Sequence, residues 1–204
     1  MTGNQAIIEV LKREGTDWLA CFPYQGLIEE AARAGIRPII CRQERVGVNM
    51  ADAYSRITNG RRIGVFTMQS GPGAENAYAG VAQAYADSIP ILVLPGGPGA
   101  SSAQVHPTFA ASRSYADVTK WSASINTPGR LPSMMRYAYT QLRHGRPGPV
   151  LLEIPADVAG QEVPGGGLDY TPPRVHRSEA DPADIRDLAS ALLKAARPVI
   201  CAGQ

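Results

Sequence analysis

Apolar positions along the chain alternate between two rhythms, short unbroken runs and 3.6-residue spacing. Ala6, Ile7, Val10 and Leu11 recur at helical spacing and stop at Gly15, a good carboxyl cap. Trp18–Phe22 is a short apolar run, broken by Pro23-Tyr24-Gln25-Gly26, after which Leu27–Ala34 reads as a helix ended by Gly35. Pro38–Cys41 predicts a second buried strand. From Glu44 to Thr58, Val48, Ala51, Tyr54 and Ser55 return to helical spacing, and Asn59-Gly60 closes the segment. Arg62–Met68 predicts a third strand, Gly71-Pro72-Gly73 a turn, and Ala74–Ala86 an Ala-rich helix with Pro72 where a first turn tolerates it. Ile89–Leu94 predicts a fourth strand, and Pro95–Ser102, rich in Gly and Pro, a loop. Trp121–Ile125 and Val150–Ile154 predict strands five and six around a helix at Leu131–Leu142. Repeated strand–helix alternation with near-continuous apolar strands predicts a doubly wound α/β fold: a mostly parallel sheet of about six strands with helices on both faces.

Beyond Pro155 the pattern changes. Gly165-Gly166-Gly167 and Pro172-Pro173 are linker chemistry, and Ala183–Ala196 is amphipathic, with Ile185, Leu188, Ala189, Leu192 and Leu193 on one face. Pro198–Gly203 then reads as the opening of a new strand. The expected organisation is a domain over residues 1–158, a linker over 159–180, and the start of a truncated second domain over 181–204, so that the chain reads as a fragment or one half of a split protein.

Composition narrows the classes. At 204 residues, 44% apolar and 19% charged, the chain can build a sizeable core. A net charge of +2 with scattered basic residues argues against nucleic acid or an anionic membrane as partner. No segment approaches ~18 consecutive apolar residues, and the amino terminus has neither a basic region nor a long apolar run, which argues against a secretory signal. Cys21, Cys41 and Cys201 are odd in number and far apart, so they read as small core residues in a reducing cytoplasm.

The candidate chemistry gathers between Arg42 and Asn76. Glu44 stands at the mouth of a helix and Gly71-Pro72-Gly73 opens another, which puts one acid and several backbone amides at the carboxyl edge of a parallel sheet, where open α/β sheets bind ligands. Glu44 on its own fits either a first-turn glutamate favoured by the helix dipole or a partly buried acid that shares a proton with a ligand nitrogen. His106, His144 and His176 are isolated in sequence, with no metal-ligand spacing. Gly71-x-Gly73-x-x-Asn76 imitates a dinucleotide fingerprint, but lacks the third glycine and follows the third strand, which argues against a nicotinamide-binding oxidoreductase.

Several motifs together resemble one family. Cys41-Arg42-Gln43-Glu44 running to Met50-Ala51-Asp52-Ala53-Tyr54-Ser55-Arg56 is similar to the Arg-His-Glu…Met-Ala…Tyr-Ala-Arg helix of thiamine diphosphate-dependent enzymes, in particular the amino-terminal pyrimidine-binding domain of the acetolactate synthase group. Ser70-Gly71-Pro72-Gly73-Ala74-Glu75-Asn76, Asp87-Ser88-Ile89-Pro90, Gly145-Arg146-Pro147-Gly148-Pro149-Val150 and Arg197-Pro198-Val199-Ile200 match that group in order. The resemblance implies that the Glu44 carboxylate hydrogen-bonds the pyrimidine ring nitrogen of thiamine diphosphate and favours the imino tautomer that takes the thiazolium proton. It implies cofactor contacts at Tyr24, Gln25 and Gly26, where the family has Tyr-Pro-Gly-Gly in a different order, and at Pro72 and Asn76, whose plain roles are a helix start and a capping contact. Where the group has Phe-Gln-Glu after the Gly-rich loop this chain has Phe109-Ala110-Ala111; His106 and Phe109 are the substrate candidates, and the activity is left open between lyase, decarboxylase and acyl transferase on a small 2-keto acid. No Gly-Asp-Gly occurs, so the diphosphate and its magnesium are expected on a carboxyl-terminal domain or chain; FAD cannot be judged from this portion. The expectations are therefore an oligomeric half-site, inactive alone; a non-catalytic assembly subunit is the alternative.

Overall fold

In the computed structural model, which describes residues 1–165, 167–176 and 179–201, six parallel strands form one sheet in the order β2-β1-β3-β4-β6-β5. The elements are α1 (Gly3–Arg13), β1 (Trp18–Phe22), α2 (Gln25–Arg33), β2 (Arg37–Ile40), α3 (Glu44–Ile57), β3 (Gly64–Met68), α4 (Pro72–Ala86), β4 (Ile91–Gly97), α5 (Ala111–Ser114), β5 (Trp121–Ser124), α6 (Leu131–Arg143), β6 (Val150–Pro155), α7 (Ala156–Gly160) and α8 (Pro182–Lys194). The doubly wound α/β expectation holds. Among the described residues no helix is long and apolar enough to cross a membrane.

Alternate residues of the four inner strands feed two cores, as a side-chain period of two requires. Leu19, Cys21, Leu92, Leu94, Leu152 and Ile154 join α1, α2 and α6 on one face. Ala20, Phe66, Met68, Val93 and Leu151 join α3 and α4 on the other. Glycine lets α3 come close: a Cβ at Gly47 would fall 2.7 Å from Cδ2 of Phe66. The return of the chain from α3 to the sheet is fixed by Ser55, which is fully buried. Its hydroxyl donates to the Pro90 carbonyl at 2.6 Å and accepts from the Gly64 amide at 2.8 Å. Ser55→Ala leaves two buried backbone groups unpaired and is expected to cost about 2–3 kcal/mol, seen as a lower urea midpoint with an unchanged slope.

Four local expectations need correction. The strand placed at Pro38–Cys41 runs Arg37–Ile40 and is an edge strand, not a buried one; Ile40 is 73% exposed, and an edge is where a proline in a sheet is tolerated. The loop read from Pro95 begins later, because Pro95, Gly96 and Gly97 are the last three residues of β4, all buried. The two glycines belong there for want of room: a Cβ at Gly96 would lie 3.1 Å from the Tyr24 ring, and one at Gly97 would lie 2.6 Å from Cγ of Glu153. Cys21 and Cys41 are buried, but Cys201 is exposed. Pro198–Cys201 forms no strand among the described residues, and Val199 and Ile200 face solvent, since a strand needs a neighbour to hydrogen-bond. Residues 166, 177 and 178 of the expected linker, and 202–204 of the expected second domain with its strand, lie outside the described residues.

The segment after α7 is tied back to the body. Arg13 donates to the carbonyls of Leu168 and Tyr170, and the Tyr170 hydroxyl donates to Glu14, whose side chain also pairs with Arg143 at 2.5 Å. By contrast α8, capped at Asp181, has no buried residue.

Candidate active site at the carboxyl edge

Connections after β1, β2 and β3 bring the sequence candidates to the sheet's carboxyl edge, beside the switch point where β1 is flanked by β2 and β3. Glu44 is the first residue of α3. It is 4% exposed, and the Asn76 side-chain amide in α4 donates to its Oε2 at 3.3 Å. The bend that makes this meeting possible is Gly71, whose φ of 62° favours glycine, followed by Pro72 at the first helical position. Gly73 completes it, since a Cβ there would come within 2.9 Å of Cγ of Gln69 and would touch Oε1 of Glu44 at 3.4 Å. A hollow of about 290 Å³ opens on Gln43, Glu44, Arg45 and Asn76.

Burial sets Glu44 apart from an ordinary first-turn glutamate. A glutamate that only answers the helix dipole does so from water, whereas a carboxylate removed from water costs several kcal/mol unless it is paired. Among the described residues Glu44 has no ion pair, and Asn76 supplies its one side-chain hydrogen bond. The Glu44 carboxylate can accept a further hydrogen bond.

The remaining candidates separate. Tyr24, the residue before α2, sets its ring against Gly96; its hydroxyl is buried with no partner among the described residues, and burial pushes its pKa up to about 12. Gln25 is exposed, and its side chain donates to Glu29 along α2. Gly26 lies against Asn4, whose Nδ2 would sit 2.8 Å from a Cβ there. Phe109 packs on the α3–α4 core, while His106 is exposed; neither lines the Glu44 hollow.

Three side chains escaped the sequence reading. Tyr115, fully buried, donates its hydroxyl to the Ala74 carbonyl in the first turn of α4 and sets its ring edge-on to Tyr78 at 5.1 Å, bracing the turn that carries Asn76. Glu153 and Asp157 bond to the excursion between β4 and β5. Only Glu153 left a trace, as a charge inside the apolar run Val150–Ile154.

Larger hollows lie at the opposite pole, around Asn59, Gly60, Pro90, Gly145 and Pro147. There α3, α4 and α6 end, and their carbonyl ends account for nearby cations: Lys120 donates to the carbonyls of Gln141 and His144 at the end of α6. Arg56, in the last turn of α3, pairs with Asp52 and Asp87, and Arg146 donates to the Ser88 hydroxyl at 2.7 Å. The Tyr-Ser-Arg, Asp-Ser-x-Pro and Gly-Arg-Pro motifs meet at this pole, where they hold helix ends together. Among the described residues no group of three or more His, Cys, Asp or Glu could hold a metal ion.

A parallel sheet with a buried acid beside its switch point and a Gly-Pro-Gly turn opposite that acid defines an α/β cofactor-binding domain. The family model described as the N-terminal TPP binding domain of thiamine pyrophosphate enzymes matches residues 1–117, and the chain belongs to that family. Its relatives include an acetolactate synthase large subunit of Lactococcus lactis subsp. lactis, 32% identical over 99% of this chain and 36% of the relative. A probable 2-ketoarginine decarboxylase of Pseudomonas aeruginosa is 31% identical over 100% of this chain and 37% of its own length. A probable acetolactate synthase large subunit of Methanocaldococcus jannaschii is 29% identical over 100% and 36%. The chain thus spans little more than a third of the length of these relatives.

Proposed function

We propose that this chain is the amino-terminal cofactor half-site of a thiamine diphosphate-dependent enzyme acting on a 2-keto acid. The observation that carries the reading is the buried Glu44 carboxylate, bonded by Asn76 and opening on a hollow at the carboxyl edge. These residues fit the cofactor's aminopyrimidine. Glu44 offers an acceptor for a protonated ring nitrogen, Gly73 leaves room beside it, and the orphaned Tyr24 hydroxyl supplies a further polar group at the same edge. When bound, the cofactor supplies an electron sink for decarboxylation or carbon–carbon bond formation.

The protein's own part is to hold and move a proton. Glu44 would hold a proton shared with the ring nitrogen, and Asn76, bonded to Oε2, leaves Oε1 free for it. Burial keeps water from competing for that bond. Pro72 and Gly73 shape the turn beside Glu44 that would take the ring; His106 and Phe109, on the excursion after β4, are the candidates for meeting the substrate. Relatives of both synthase and decarboxylase type leave carboligation and simple decarboxylation as alternatives for the complete enzyme.

We propose further that residues 1–158 form the cofactor-binding domain, 159–180 a linker, and 181–204 part of a second domain. The unburied apolar side of α8, with Ile185 52% and Leu188 61% exposed, supports this. Diphosphate and magnesium would be held by another domain or chain, and the exposed Val46 and Tyr78 on α3 and α4 give it apolar surface to cover. Calorimetric titration of residues 1–204 with thiamine diphosphate and magnesium is expected to show weak or no binding alone. Binding is expected when a diphosphate-binding partner chain is added. No binding in either case would sink the half-site reading, and tight binding alone would refute the division of the site.

A further inference from the structure

Between β4 and α5 the chain makes an excursion, residues 98–110, that carries His106 and Phe109. Its two ends are held by two carboxylates from one stretch of chain. Asp157, in α7, accepts the Ala100 amide at 2.9 Å through Oδ2 and its own helix's Val158 amide at 3.0 Å through Oδ1. Glu153, in β6, accepts the Ala111 amide at 3.1 Å through Oε1 and the Ser112 hydroxyl at 3.0 Å through Oε2. A cavity of about 300 Å³ lies between, with Ala103, Ala110 and Ser124 in its wall beside the two acids. Glu153 is 4% exposed and points to the same sheet face as Leu151, the face that α3 and α4 cover.

A core position gains nothing from a buried charge that an apolar side chain would not give more cheaply. The acid at 153 is therefore explained by what it holds. We propose that Glu153 and Asp157 are positioning residues that fix the exit and the entry of the 98–110 excursion, and so set where His106 and Phe109 stand relative to the cofactor edge. This rests on the reading that the edge binds the cofactor; the two latches themselves do not.

The latches differ in their response to pH. The bonds from Ala100 and Val158 hold the Asp157 carboxyl below its ordinary value, so its latch stays ionised through neutral and mildly acid pH. Burial holds the Glu153 carboxyl above its ordinary value, against the opposing hydrogen bonds from Ser112, Ala111 and Ser124. Among the described residues no ion pair reaches Glu153 from β4, β5, α5 or α7, and Asp157 is the other acid in the same cavity wall. For an acid whose folded pKa is raised, ionisation opposes folding: global stability falls as pH rises from the ordinary carboxylate value through the folded one. The latch itself has the opposite sign, because the ionised form is the better acceptor for two donors.

Hydrogen exchange of the 204-residue chain, read by mass spectrometry and corrected for intrinsic chemistry, separates these effects. At about pH 8, Glu153→Gln is expected to speed exchange over residues 109–115 about tenfold while leaving 99–104 unchanged. Asp157→Asn is expected to do the reverse. In the wild type, exchange over 109–115 should rise on going to about pH 5, and Glu153→Gln should lose that response. Its melting temperature should be equal to the wild type's or higher, since a buried charge is gone. Uniformly faster exchange with a lower melting temperature would show a merely structural role, and unchanged local exchange would show no latch; either overturns the proposal. Cofactor is absent from this experiment, so failure of the calorimetric titration above would sink the half-site reading without touching this one.

Discussion

Glu44→Gln is expected to lower thiamine diphosphate-dependent turnover of a 2-keto acid by about 10²–10⁴-fold, the range that a positioned proton-transfer group contributes. The measurement is made on this chain assembled with a diphosphate-binding partner. Glutamine keeps the volume of the side chain and can still face Asn76, so the fold and the hollow should survive, with urea midpoint and circular dichroism close to wild type. What glutamine cannot do is exchange a proton with a ring nitrogen. Removing a buried carboxylate also removes its desolvation cost, so the variant can be more stable than the wild type while being far less active. Loss of activity together with loss of fold would leave the role of Glu44 no stronger than that of any core residue, and an enzyme keeping wild-type turnover would end the assignment.

Gly64→Ala is expected to have the largest effect on the fold itself. Gly64 begins β3 under α3, and a Cβ there would meet the carbonyl oxygen of Ala51 and stand 2.5 Å from its carbonyl carbon. Those atoms are helix backbone and cannot rotate away as a side-chain tip would. Accommodating the methyl means lifting α3 from the sheet, opening the packing of Val48, Ala51 and Phe66. A cost above about 4 kcal/mol, a large part of what a domain this size possesses, should appear as insoluble expression or a collapsed urea midpoint. Gly160→Ala is the control: a Cβ there meets nothing within 4 Å, and stability should be unchanged. The two predictions are linked through one helix, because α3 carries Glu44 at its first residue and Ala51 two turns later. Whatever moves α3 off β3 also disturbs the setting in which Glu44 meets Asn76.

The architecture, and one residue of the candidate site, were legible in the chain's linear pattern. Strands buried on both faces must be apolar nearly throughout, and helices packed on one face must be apolar every third or fourth residue; both rhythms are visible in one dimension, and six strands and the principal helices follow. Glu44 was legible because it stands immediately before a helical rhythm, within motifs that recur in order. Gly71-Pro72-Gly73 was legible because only a few residue types tolerate that bend.

What the sequence could not give was whatever depends on distant residues meeting. The edge position of β2 is set by strand order, not by the composition of Arg37–Ile40. Pro95-Gly96-Gly97 reads as a loop, yet lies in β4, because the absent side chains make room for Tyr24 and Glu153, contributed from residues far away in sequence. The burial of Glu44, its bond with Asn76 32 positions later, and the grip of Glu153 on Ala111 and Ser112 across 42 and 41 positions are likewise properties of packing. Local pattern fixes which faces are apolar, since hydrophobic periodicity is a local quantity. Which polar group is then cut off from water, and what it must hold in compensation, is decided only when the sheet brings separate segments to one edge.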